Sequence, residues 1–314
     1  MTTSQQPKTA LYFATVCALP NGDAIVSGHL VSEGHEPTAT ILLRCGKRGW
    51  HLVAKFTDIV YAMTYGTTSS PGASHAIGIL GRDGRFAICD DEHIRSVETI
   101  GKRGYGYLEG STWANGSFYA CGADGQVFRR TNASVWTDIT SGVRGWPANS
   151  KGLYVLSVAE RSKGEIVVCG SSGFAAIFDG SRWRVLDLDT NMDLHRVWLT
   201  QAGVGYFCGA GGTLLRMNDE RAIVNLSALG ATDETFHDIC EYAGRLYIAA
   251  GRSLLTLEDD RIEEVGVPGP PDASVYRLAA YDSLWCVGDE TVRQLSGDQW
   301  TIYESPTNRP AKSG

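Results

Sequence analysis

The chain has 314 residues, with 28 Lys and Arg against 35 Asp and Glu, and a formal net charge of −7. No basic tract stands out, which argues against nucleic acid as a partner, and no apolar run reaches the roughly 18 residues of a membrane-spanning helix. Hydrophobic residues make up 43% of the chain, enough for a packed core, and 37 Gly beside 10 Pro suit many tight hairpins rather than a disordered polymer.

One pattern recurs from end to end. An aromatic residue or His opens an apolar run, and a second apolar run follows and ends in Gly. The openers are Tyr12, Tyr61, Tyr107, Tyr154, His195, His237 and Tyr276, and the matching glycines are Gly28, Gly81, Gly122, Gly170, Gly209, Gly251 and Gly288. A period of roughly 40–45 residues built from short strands is the signature of a propeller. The expected fold is therefore all-β, a seven-bladed β-propeller with four antiparallel strands per blade. It forms a single domain over residues 8–304, with 1–7 and 305–314 as flexible tails. Lys8 followed by Ala10 to Leu19 faintly resembles a signal peptide, but Tyr12 falls in register with the other openers, so these residues are read as the first strand.

The first copy carries a longer excursion, Val31 to Pro37, and the second an insertion, Thr67 to Ser74. Both are polar loops of the kind that carry recognition on a rigid scaffold. Around the third copy, Arg103 and Tyr105 lie in one inter-blade loop and Arg144 and Trp146 in the next, a basic and aromatic loop patch. The fourth copy is the cleanest. Leu153 to Ala159 reads as an inner strand, Glu165 to Cys169 as the second, Phe174 to Phe178 as the third and Trp183 to Leu188 as the outer one. Trp50, Trp136, Trp183 and Trp300 each begin an outer strand, where a large apolar group packs on the neighbouring blade. The loop after blade 4 spaces Asp187, Asp189, Asn191 and Asp193 as the first ligands of a calcium loop are spaced. Met192 stands where Gly is expected, and Trp198 where the closing Glu belongs. Ca²⁺ is the one cofactor this pattern raises.

In the last three copies the residue after the opener turns polar, so one sector gathers His195, Arg196, His237, Asp238, Tyr276 and Arg277. An ion-pair network between blades accounts for it. So does a site in which a His acts as general base, with any His–Asp contact made across blades, as between His195 and Asp238. The seven openers together are expected to ring the channel mouth as a packing ring or an aromatic-lined partner site. Eight Cys include no C-x-x-C pair, and several directly precede the repeat Gly, as Cys121, Cys169 and Cys208 do. They read as reduced core residues of a cytoplasmic protein.

The run Val168-Cys169-Gly170-Ser171-Ser172-Gly173 leading to Trp183 resembles the bacterial WD40/YVTN/BNR-like propellers, including relatives of the photosystem II assembly factor. The Gly-His and Trp-Asp pairs of true WD40 repeats are missing, and Ser296 to Trp300 is only a fragment of a sialidase-type Asp box. The resemblance implies a fold, and binding or assembly roles more readily than a defined chemistry. No G-x-S-x-G elbow, H-E-x-x-H or Walker loop is found. The expected function is thus a non-catalytic, monomeric scaffold that binds another protein, either a basic toxin that it neutralises as a bacterial immunity protein or a component that it helps to assemble. Two alternatives stand beside it: a lyase or hydrolase with a His/Asp/Arg site at the channel mouth, and a lectin-like module stacking sugar on Trp146 and Tyr105.

Overall fold

The second strand of each repeat is buried on both faces, and this explains its unbroken apolar run. In blade 4 the second strand, Glu165–Gly170, places Ile166 and Val168 in a core shared with blade 3, and Val167 and Cys169 in a core shared with blade 5. Side chains alternate across a strand, so both parities must be apolar here. Each fully buried aliphatic side chain contributes about 1.5–3 kcal/mol.

The computed structural model describes residues 10–306 except 32–36, 38, 68–75, 91, 102–105, 144–151, 162–163, 201, 219 and 231–232. It contains seven four-stranded antiparallel sheets, each made of consecutive strands, so blade 7 closes on blade 1 without exchanging a strand. The inner strands are Ala10–Ala18, Val60–Gly66, Leu108–Ala114, Val155–Arg161, Leu194–Leu199, Asp238–Tyr242 and Arg277–Ala280, and they touch one another in order around the channel. Seven buried clusters fill the seven seams between neighbouring blades. Most of the excursion in blade 1 and of the insertion in blade 2 lies outside the described residues, as do residues 1–7 and 307–314 of the expected tails.

The repeat Gly has a steric cause. Gly170 is extended, and a Cβ on it would overlap the carbonyl oxygen of Tyr154; Gly209 meets the carbonyl of Asp193 in the same way. The tight turn that follows puts Ser172 at φ 55° and Gly173 at φ 70°, the left-handed region where Gly is favoured.

Three outer-strand tryptophans link their blades to the one before. Trp50 Nε1–H donates to the Glu304 carbonyl at 2.7 Å, Trp136 to Glu98 Oε2 at 3.1 Å and Trp183 to the Ile139 carbonyl at 2.7 Å. Trp183→Phe keeps the ring surface and loses one neutral hydrogen bond. It is expected to lower stability by about 1 kcal/mol, read from the urea midpoint. A change indistinguishable from zero would show that the indole contributes by packing alone.

All eight cysteines are buried, and none is in a disulfide. Burial raises the thiols of Cys45, Cys121, Cys169, Cys208 and Cys240 and pushes that of Cys286 up to about 12. Among the described residues, no helix is long and apolar enough to cross a membrane.

Candidate functional site: the channel mouth

The register of the inner strands decides which side chains face the channel. Phe13, Val60, Leu108, Val155 and Leu194 pair with the repeat glycines Gly28, Gly81, Gly122, Gly170 and Gly209. The next residue on each inner strand has no partner across the ladder: Ala14, Tyr61, Glu109, Leu156 and His195 are bulged. A bulge re-aims its side chain, and here four of the five line a cavity of about 290 Å³ in the channel, together with Arg196, His237, Asp238 and Arg277. The ring the structure builds is therefore Ala14, Tyr61, Glu109, Leu156, His195, His237 and Tyr276.

This corrects the expected ring of five Tyr and two His. Tyr61, His195, His237 and Tyr276 hold their expected places. Tyr12, Tyr107 and Tyr154 sit two positions earlier, before the bulge, and the inner strand of blade 4 begins two residues later than expected. Sequence reasoning missed Glu109 and Leu156 because it counted from the aromatic rather than back from the Gly. It also missed Arg82, which lies over the Tyr107 ring at 4.9 Å and hydrogen-bonds Tyr61.

His195, His237 and Tyr276 form a continuous aromatic arc. The two imidazoles stack at 5.9 Å, and Tyr276 meets His237 edge-on at 4.9 Å. Arg196 Nε lies 3.1 Å from Asp238 Oδ1, with the Arg side chain 33% exposed to the channel and the Asp side chain 3%. Asp238 also accepts the Ile239 N–H through Oδ1 and the Leu278 N–H of blade 7 through Oδ2, both at 2.9 Å. One carboxylate thus ties blades 5, 6 and 7 together. The anticipated contact between His195 and Asp238 does not form, because Asp238 is committed to Arg196 and two backbone amides; His195 feels Asp193 instead.

Burial lowers the pKa of both imidazoles below 6.5, and Arg277 adds to the effect on each. Burial also raises the Glu109 carboxyl above its usual 4.5, against a smaller opposing pull from Arg277. The two signs differ. The native state resists protonating the histidines, so their share of stability is complete above 6.5 and is lost as the pH falls through their depressed folded values. Glu109 favours its proton in the native state, so its share is complete below 4.5 and is lost as the pH rises through its raised value. Unfolding free energy should therefore decline with acid from 6.5 downward, and His195→Gln with His237→Gln should flatten that decline in urea titrations at stepped pH. An unchanged slope would place the titrating groups elsewhere.

Around the mouth, side chains project outward. Tyr107, Tyr154, Met192 and Tyr12 are 44%, 43%, 39% and 37% exposed. The backbone carbonyls of the first three each accept an N–H from the turn that follows a second strand: Tyr107 from Ala123, Tyr154 from Ser171 and Met192 from Gly173. Exposed Asp187, Asp189 and Asp193 lie beside Met192, and Tyr12 shares a groove with Asp272, Asp289 and Glu290. Among the described residues this face is aromatic and acidic.

The calcium-type spacing is spent partly on turns. Asp187 Oδ1 accepts the Asp189 N–H at 3.3 Å, and Asp193 Oδ1 accepts the Ser172 N–H at 2.8 Å. Among the described residues, no three His, Cys, Asp or Glu side chains converge as metal ligands would. The loop patch of Arg103, Tyr105, Arg144 and Trp146 lies outside the described residues.

Fold and site together define a seven-bladed β-propeller with a polar channel stapled by an ion pair and, among the described residues, an acidic, aromatic mouth. No protein-family model matches the chain. A curated protein from Pseudomonas aeruginosa, named Immune protein Tsi7, is 31% identical over 201 residues, which cover 63% of this chain and 64% of that protein. The chain thus spans less than two thirds of that relative's length. Among solved structures, virginiamycin B lyase from Staphylococcus aureus superposes with a TM-score of 0.70 at 12% identity, over 90% of this chain and 96% of the lyase. YCF48 bound to D1 peptide superposes with a TM-score of 0.64 at 15% identity, over 98% and 96% of the two chains. Both structural likenesses are of fold, and the second bears out the resemblance to photosystem II assembly-factor propellers at that level.

Proposed function

We propose that this chain is a bacterial immunity protein, a non-catalytic propeller that binds a basic protein toxin through its mouth face inside the producing cell. The observation that carries this reading is the 31% identity to a protein named as an immune protein. Three features support it. Exposed tyrosines and a methionine are suitable interface anchors, and surrounding carboxylates steer a basic partner. Asp238 spends its oxygens on Arg196 and two backbone amides rather than on a hydrogen bond to either channel histidine. Eight buried cysteines with no disulfide among them suit a reducing compartment.

The test is capture from the native cell with the tagged chain, followed by expression of the captured protein alone and with this chain. Growth arrest by the captured protein, relieved by co-expression, is the expected result. Tyr107→Ala with Tyr154→Ala should weaken binding about thirtyfold or more, as loss of hot-spot aromatics does, while leaving the fold intact. Failure of the chain to relieve toxicity of any stoichiometric partner would contradict the proposal.

A further inference from the structure

We propose that the channel cavity binds a small zwitterion of the amino-acid class, with the ligand's ammonium on Glu109 and its carboxylate on Arg277. The inference does not depend on toxin neutralisation; it follows from the charges left over inside the channel.

The cavity contains four permanently charged or readily ionised side chains besides its two imidazoles: Glu109, Arg196, Asp238 and Arg277. Arg196 and Asp238 neutralise each other at 3.1 Å. Glu109 and Arg277 do not pair. Among the described residues Glu109 makes no hydrogen bond or ion pair, and Arg277 makes one long contact, from Nη1 to the His237 carbonyl at 3.5 Å. They stand on the inner strands of blades 3 and 7, and interact through space across the opening rather than by contact. Burial already disfavours the Glu109 anion. An uncompensated charge in a confined site is costly, and the cost is relieved when a ligand supplies the opposite charge.

A simple cation would satisfy Glu109 and meet repulsion from Arg277. A simple anion would do the reverse. One short molecule bearing both charges satisfies both groups, through an N–H···O bond to the carboxylate and a forked pair from the guanidinium. The remaining lining agrees with this. Leu156, Tyr61 and the stacked, neutral imidazoles of His195 and His237 give an apolar and aromatic wall without a further net charge. At about 290 Å³ the cavity sits at the lower bound of ligand pockets and suits an amino acid rather than a drug-sized molecule.

The experiment is isothermal titration of the intact protein with glycine, β-alanine and γ-aminobutyrate, which carry their two charges at increasing separation. Ethylamine and acetate serve as single-charge controls. At least one zwitterion should bind tenfold or more tightly than either control, about the contribution of one charge-assisted hydrogen bond. Glu109→Gln and Arg277→Met should each abolish that preference, with far-ultraviolet circular dichroism unchanged. No binding by any of the three zwitterions, binding of acetate equal to theirs, or an unchanged preference in Glu109→Gln would each overturn the proposal. None of these outcomes alters what is expected of toxin capture by the mouth-face tyrosines.

Discussion

Asp238→Ala is expected to destabilise the propeller by about 3–5 kcal/mol, the usual cost of removing one partner from a buried charge pair. The substitution removes three contacts at once: the ion pair to Arg196, the cap on the Ile239 N–H and the bond to the Leu278 N–H. It also leaves the Arg196 charge without a counterion. Because 33% of the Arg196 side chain remains exposed to the channel, solvent screens part of that loss, and the lower end of the range is expected. Asp238→Asn should fall between wild type and Ala, since its oxygen can keep one backbone amide and its NH₂ cannot accept the other. Urea midpoints at neutral pH measure both. A loss below about 1 kcal/mol for Asp238→Ala would mean that the blades are held by the hydrophobic seams without this staple.

Trp285→Ala should cost about as much, 3–5 kcal/mol, for a different reason. Trp285 is completely buried in the seam between blades 7 and 1, among Phe13, Val26, Leu43, Val287 and Val292, and it stacks on Tyr303 at 5.3 Å. No strand is exchanged between these blades, so packing and a few bonds, such as Trp50 to Glu304, close the ring. A cavity there is a cavity at the closure. Trp285→Phe should cost less than about 1.5 kcal/mol, because most of the ring volume is kept and the lost indole N–H has no hydrogen-bond partner among the described residues. Equal losses for Ala and Phe would contradict this account of the seam. Limited proteolysis reads the same difference, with Trp285→Ala cut faster as the ring opens more often.

The fold was legible because its requirements fall on side chains. A Gly that faces a carbonyl, as Gly170 faces Tyr154, cannot be replaced cheaply, and a strand buried on both faces must be apolar at every position, as Ile166 to Cys169 are. The carbonyl contact recurs at Gly122, Gly209 and Gly288, and the doubly buried second strand recurs in every blade, so a period is visible. The channel was legible only in part. A bulge adds one residue to the strand without any demand on its type, so Ala14, Tyr61, Glu109, Leu156 and His195 occupy equivalent places with no common chemistry. Counting from the aromatic found Tyr61 and His195 and passed over Glu109. Sequence placed the contacts of Asp238 across blades correctly, since neighbours on a strand point apart, but could not say whether a histidine or an arginine would reach it. The spacing of Asp187, Asp189, Asn191 and Asp193 was likewise ambiguous, because an aspartate oxygen caps a backbone N–H as readily as it binds a cation.

The central claim is that the mouth face carries the protein partner. Hydrogen–deuterium exchange of the chain, alone and with its captured partner, tests it most directly. Slowed exchange in segments 106–110, 152–156 and 189–195, with the outer strands unchanged, is the result this account predicts. Protection confined to the outer strands or to the hairpins at the far end of the channel, with the mouth unaltered, would contradict it.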